Sequence, residues 1–215
     1  MQAFDRKYRP TVWSGTCNES WLPKPGFLYI PHPDCWRLAD APIHWSLWRQ
    51  RRYRCIQRAS CALGLNGSVP PARHRKLINS AWTARRYAQV GGGHAQVLYP
   101  PVPPFARGLP WAQREDRVVV LGRWSAPKRL TLAIEIVSAA RHAGAKLTLA
   151  FAGFWHTDAE TKRQVLAAAA GCDWIEWHEN PTRDAIMRLA GSSRYGLHAM
   201  REEHFGIAVA ELAKA

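Results

Sequence analysis

Between Ala41 and Arg114 this chain has no aspartate and no glutamate, although twelve lysines and arginines fall in the same stretch. An acidic face is excluded there, and the partners that suit the region are phosphate, nucleic acid or an anionic membrane surface. Long apolar runs are missing as well. The longest, "LTLAFAGFW", is the size of a strand and falls well short of the ~20 residues that cross a bilayer. The opening "MQAFDRKYRP" is charged and lacks the apolar core of a signal peptide. The five cysteines (Cys17, Cys35, Cys55, Cys61 and Cys172) are odd in number and include no CxxC pair, so they read as reduced thiols of a cytosolic protein. Neither GxGxxG nor GxxxxGK[ST] occurs, which counts against hydride transfer and ATP hydrolysis. There is no repeat of solenoid period. Zinc spacing, an RNP pattern and a helix-turn-helix signature are absent too, which leaves charge alone as the argument for nucleic acid.

What is present is a chain of 215 residues with net charge +14 and an apolar share of 47%, enough for one large domain or two small ones with a real core. Twelve acidic residues fall from Glu115 onward, so the two halves differ in charge and suit different partners. The second half alternates. "RVVVLG" predicts a buried strand, and "APKRLTLAIEIVSAARHAG" a helix with Leu130, Ala133, Ile134, Val137 and Ala140 on one face, stopped by Gly144. "KLTLAFAG" predicts a second strand, and "DAETKRQVLAAAAG" a helix capped by Asp158. "DWIEWH" predicts a third strand, and "NPTRDAIMRLAG" a helix capped by Asn180 with Pro181 in its first position. "YGLHAM" and "FGIAVAELAKA" add a fourth strand and a fourth helix. This alternation means a parallel, doubly wound α/β sheet, which binds ligands beyond the carboxyl ends of its strands.

The first hundred residues are less legible. "GFLYIPHPD" predicts a strand running into a loop, "IHWSLWRQRRYRCIQRASCALGL" a basic, Trp-rich helix, and "KLINSAWTARRYA" a short strand and a helix capped by Ser80. "QVLYPPVPP" predicts a strand ended by prolines, which cannot continue a ladder. The expected organisation is a first domain over 1–104, a linker over 105–115 and a second domain over 116–215.

The closing stretch, "LHAMREEHFGIAVAELAKA", holds two carboxylates, Glu203 and Glu211, around the opening of a helix. A helix N-terminus offers unpaired amides and a positive dipole end to a phosphate, here at Phe205, Gly206 and Ile207. Gly206 lets a ligand approach the backbone. Glu211 lies about five residues into the helix, ~7–8 Å along its axis, the reach from a diphosphate to its ribose. The same spacing also suits a solvated loop glutamate and an exposed helical one. In "VLGRWSAPKRL", Arg123 and Lys128 follow the first strand of this sheet, where two cations could neutralise a diphosphate leaving group. A merely basic, solvated loop would look the same.

"GRWSAPKR" followed by "GLHAMREEHFGIAVAELA" resembles the nucleotide-binding half of retaining GT-B glycosyltransferases of family 4, whose signature is E-x7-E. The branch it is most similar to contains the GDP-mannose-dependent α-1,2-mannosyltransferases of lipid-linked oligosaccharide assembly. "INSAWTARRY" and "VLYPPV" look like segments of that branch as well. The resemblance implies two Rossmann-like parallel-sheet domains, an amino-terminal one on the acceptor side and a carboxyl-terminal one for the nucleotide sugar. It implies that Arg123 and Lys128 hold the donor diphosphate, capped by the backbone of Phe205, Gly206 and Ile207. Glu211 would hold the ribose hydroxyls, and Glu203 would touch the transferred sugar and stabilise positive charge at its anomeric carbon. His198 would line the pocket. His32 in "YIPHPD" would be the catalytic-region histidine of the first domain, although it stands one position later than the branch pattern has it. No cofactor and no metal are expected. The donor would be a nucleotide sugar, GDP-mannose in the first place, and the acceptor a glycan or lipid-linked glycan.

The family's first strand with its Gly-rich loop, and its last strand and helices, have no counterpart here, so both domains are expected to be incomplete and the chain a fragment. The expected location is cytoplasmic. The basic helix from His44 to Leu65 would suit a peripheral contact with an anionic membrane, and equally a solvated arginine face. The competing functional reading is a basic module that binds nucleic acid or anionic membrane on a degenerate, inactive transferase scaffold.

Overall fold

The computed structural model describes residues 14–16, 27–31, 48, 51–52, 55–56, 75–89, 93–104, 108–156 and 158–215. His32 and most of the basic segment 44–65 lie outside them. Trp48, Arg51, Arg52, Cys55 and Ile56, which lie within, are helical and exposed. Among the described residues no helix is long and apolar enough to cross a membrane. The chain divides into two compact units, Met1–Pro100 and Pro101–Ala215.

The first unit carries β1 (Ser14–Thr16), β2 (Phe27–Ile30), β3 (Arg75–Ile78) and β4 (Gln96–Val97) as one parallel sheet in the order β1-β2-β3-β4, with α1 (Ala81–Gln89) between β3 and β4. Leu28, Ile30, Ile78 and Tyr87 form its core. Ser80 caps α1 as its sequence predicts: its hydroxyl accepts from the Thr83 amide at 3.0 Å and donates to the Thr83 hydroxyl at 2.9 Å. Asn79 Nδ2 donates to the Pro31 carbonyl at 3.0 Å and ties the ends of β2 and β3 together. The strand expected from "QVLYPPVPP" is only two residues long. One further bond, from Leu98 N to Ile78 O at 2.8 Å, extends the ladder before the prolines withhold their donors.

The second unit runs β5 (Glu115–Trp124), α2 (Leu130–His142), β6 (Thr148–Trp155), α3 (Ala159–Ala169), β7 (Ile175–Glu179), α4 (Arg183–Ser192), β8 (Ser193–Gly196) and α5 (Ile207–Lys214). Its sheet is parallel, in the order β7-β6-β5-β8. Side chains alternate across β5. Val118, Val120 and Trp124 pack with Leu149 and Phe151 of β6 against α2 and α3, while Val119 and Leu121 pack with Ala150 and Ala152 against α4 and α5. Covered on both faces, β5 and β6 can be apolar almost throughout, which is why they read as unbroken hydrophobic runs. Trp124, Phe151, Trp155 and Trp177 form an aromatic cluster on the α2–α3 side, with ring centroids 4.7–5.8 Å apart.

Several boundaries differ from the sequence reading. β5 runs past Gly122 to Trp124, so Arg123 lies in the strand and not in the loop after it. The helix expected from Ala126 begins at Leu130: residues Ala126–Lys128 make a tighter 3-10 turn, and Arg129, at φ 51°, breaks the path between them. The cap of α4 is Thr182, whose hydroxyl accepts from the Ala185 amide at 3.2 Å, and Pro181 lies outside the helix. Asn180 instead takes the left-handed φ of 52°, which an asparagine tolerates and a threonine does not. The fourth strand ends at Gly196 and not at Met200. Asp158 does cap α3, accepting from the Thr161 amide at 3.3 Å.

Before β5, the stretch 108–114 is fastened to the rest of the second unit. Gly108 N donates to Ala215 O at 3.1 Å and Leu109 N to Gly191 O at 2.9 Å. Arg114 reaches the carbonyls of Leu109 and Ala215 at 2.7 and 2.8 Å.

Candidate functional site

After β5 the chain crosses to β6 and β7, and then returns to place β8 on the other side of β5. The strand order therefore reverses between β5 and β8, and in open parallel sheets the crevice at such a switch point is where ligands bind. Two segments border it: the turn after β5, which carries Lys128, and the loop after β8, which carries His198 and Glu203.

These three side chains meet. Lys128 Nζ donates to Glu203 Oε2 at 2.9 Å, and His198 Nε2 lies 2.9 Å from the same oxygen. The pair is largely sheltered, with Lys128 22% and Glu203 25% exposed. Gly206 makes this arrangement possible. It opens α5 at φ 79°, ψ 60°, and a Cβ there would lie 2.9 Å from Glu203 Cγ and 3.2 Å from Val209 Cγ2. The left-handed turn and the fold-back of Glu203 over the helix start both need glycine at this position. The first intrahelical bond runs from Ala210 N to Gly206 O at 2.9 Å, so the amides of residues 207–209 precede the helical ladder at the same edge. Phe205 and Ile207 flank the turn, Ile207 46% exposed.

Arg123 stands apart from that contact. It is exposed, one residue before the end of β5, in register with Phe154 of β6. Alternation puts it on the side of Val119 and Leu121, the side covered by α4 and α5. Glu211 is buried, and its Oε1 accepts from Arg183 Nη1 at 2.5 Å. The sequence reading does not single out Arg183. One local signal could have found it: a cation in the first turn of a helix opposes the macrodipole, which prefers an acid there, so such an arginine asks for a partner elsewhere.

The electrostatics fix the charge states. Burial, and then the neighbouring Lys128 charge, hold the His198 imidazole below its ordinary pKa against the opposing pull of Glu203. Burial pushes the Glu203 carboxyl up, but the bond to Lys128, the Lys128 charge and the two histidines His198 and His204 outweigh it, and the net shift is downward. At neutral pH the centre is an ammonium–carboxylate pair beside a neutral imidazole. Both shifts carry the same sign for stability. The unfolded chain takes up a proton on His198 as pH falls below 6.5 and on Glu203 below 4.5, while the folded chain resists both. The contribution is complete above pH 6.5 and is lost on acidification. The melting temperature of the wild type is expected to be flat from pH 8 to about 7 and to fall steadily below that. His198→Gln is expected to flatten the upper part of that fall, as a pH series of melting curves would show.

Chemically, the crevice offers an ammonium, a helix opening and a sheltered carboxylate at one sheet edge. The first two attract an anion such as phosphate, and the third attracts hydroxyl donors or positive charge.

No protein-family model and no curated protein sequence matches the chain. Solved structures do. An α,α-trehalose-phosphate synthase (UDP-forming) from Burkholderia vietnamiensis is similar over 88% of this chain and 49% of its own, at TM-score 0.52 and 12% identity. A second trehalose 6-phosphate synthase, from Burkholderia multivorans, is similar over the same shares at TM-score 0.51 and 12% identity. TarM is similar over 87% of this chain and 34% of its own, at TM-score 0.51 and 9% identity. The chain thus spans half or less of the length of these proteins. The likeness is one of fold: α/β, with two Rossmann-like parallel-sheet units of the GT-B type.

Proposed function

We propose that the chain is part of a glycosyltransferase resembling family 4, which moves a hexose from a nucleotide-diphosphate sugar to a glycan or lipid-linked acceptor with retention of configuration. The observation that carries this reading is the meeting of Lys128 and Glu203 across the β5–β8 crevice, over the glycine-opened start of α5. Within it, 116–215 is the donor side and 1–104 the acceptor side. GDP-mannose is the favoured donor, on the strength of the likeness of "GLHAMREEHFGIAVAELA", "INSAWTARRY" and "VLYPPV" to the GDP-mannose-dependent branch.

Each residue has a role set by its chemistry. Lys128, with Arg123 from the end of β5, neutralises the diphosphate, and the backbone of Phe205, Gly206 and Ile207 caps it. Glu211 accepts from the ribose hydroxyls. Glu203 faces the sugar and stabilises positive charge at the anomeric carbon as the bond to the phosphate oxygen breaks. His198, neutral, lines the pocket. In retention by front-face exchange, the acceptor oxygen bonds to that carbon on the side the diphosphate leaves, and its proton passes to the departing phosphate. No metal is required in this scheme. His32 belongs to the same proposal as the catalytic-region histidine of the first unit.

The test is thermal protection by nucleoside diphosphates without metal. GDP at a hundred times its Kd is expected to stabilise the protein by about 2.7 kcal/mol, a shift of several degrees. If GDP, UDP and ADP all leave the melting curve unmoved, the proposal fails.

A further inference from the structure

Resting on the nucleotide-sugar reading, we infer that Arg183 is the positioning residue for the ribose-binding carboxylate, and so controls how the site distinguishes ribose from deoxyribose. Arg183 opens α4 and Glu211 lies in α5, 28 residues later. Both helices cover the same sheet face, where Ile186 and Leu189 of α4 and Ala208 and Leu212 of α5 pack against Val119, Leu121, Ala150 and Ala152. The ion pair therefore links two helices that cover the same sheet face.

Two features show that the pair is built for more than surface charge matching. Glu211 retains only 11% of its side-chain exposure, and a carboxylate so sheltered is costly unless a donor compensates it. Arg183 also sits in the first helical turn, where its charge opposes the dipole, so its position is explained by its partner and not by its own helix. The base of Arg183 is itself anchored. The Thr182 hydroxyl caps α4, and Asn180 N donates to Gly153 O at 2.7 Å just upstream.

The geometry of the bond carries the specificity. Among the described residues, the Glu211 side chain accepts its one hydrogen bond through Oε1. Fixing that oxygen removes the rotation of the carboxylate and gives Oε2 a set direction, with its lone pairs left for another donor. Two vicinal hydroxyls can share such an oxygen, whereas a deoxyribose offers one. Without Arg183 the carboxylate would still be present but would lose its direction, and the ribose preference would go with it.

The experiment titrates GDP and 2′-deoxy-GDP, and UDP and 2′-deoxy-UDP, into the wild type, Arg183→Ala and Arg183→Lys by calorimetry. The wild type is expected to prefer the ribonucleotide by about 10- to 100-fold, the size of one lost charge-assisted hydrogen bond. In Arg183→Ala the ribonucleotide should lose most of its advantage, its deoxy form weakening less because it has one hydroxyl fewer to lose, and Arg183→Lys should recover part of the preference. If the ribose preference survives in Arg183→Ala, or if both forms weaken equally, the positioning role is overturned while the nucleotide site stands. Should Arg183→Ala not fold, Arg183→Lys decides alone, an undiminished preference for ribose counting against the inference. Failure of the wild type to bind any of the four overturns the nucleotide reading along with it.

Discussion

Lys128→Ala should weaken nucleoside-diphosphate binding by about 10- to 100-fold, because a hydrogen bond to a charged group contributes about 1.5–3 kcal/mol and each 1.4 kcal/mol is a factor of ten. The loss is expected at the upper end of that range. Lys128 is the cation that shields Glu203, 2.9 Å away, and its removal leaves that carboxylate uncompensated beside the incoming phosphates. The converse substitution has the opposite sign. In the empty site an anion must share Lys128 with Glu203, so Glu203→Gln should bind the nucleoside diphosphate as tightly as the wild type or more so, while losing sugar transfer. Calorimetric titration of both variants separates the two roles. Equal weakening in both would mean that the pair holds the loop together and does not meet the ligand.

Gly153→Ala should lower stability by about 3 kcal/mol or more, at or above the top of the usual range for overpacking. A Cβ at Gly153 would lie 1.9 Å from the carbonyl oxygen of Gly122 and 3.1 Å from Trp124 Nε1. The first of these is backbone in the register partner on β5, and the second belongs to a fully buried ring. Neither can swing away as the tip of a long side chain can. The strands would have to part at the carboxyl edge, where β5 and β6 end above the aromatic cluster. Denaturant titration of the variant gives the loss directly, and a change below 1 kcal/mol would show that the strands are not so closely apposed there.

What could be read from the chain alone follows the range of the interaction involved. β5 and β6 are legible because burial on both faces demands apolar residues along their middle stretches, and the caps at Ser80 and Asp158 because each closes over three residues. At the start of α4 the sequence offers two neighbours: asparagine and threonine both cap helices, and the left-handed turn at Asn180 decides for Thr182. Local motifs mark both Lys128 and Glu203, but their contact bridges 75 residues and depends on β8 pairing with β5, which periodicity cannot show. Arg123 looked equivalent to Lys128 because the two share a motif. In the fold one belongs to a strand, where alternation sets its side, and the other to a turn that carries it to Glu203. The bond between Arg183 and Glu211 has no local signature beyond a cation at the wrong end of a helix.

The strand order has a dynamic consequence. β8 is a four-residue edge strand joined to β5 with a register shift between Glu115 and Val118, whereas β5 pairs with β6 along eight residues. The two halves of the crevice are thus mounted on opposite sides of the weakest seam in the sheet. Local opening there would part Lys128 from Glu203 while the other three strands stay folded. A molecule gripping both lips would act as a staple across the seam and slow its breathing.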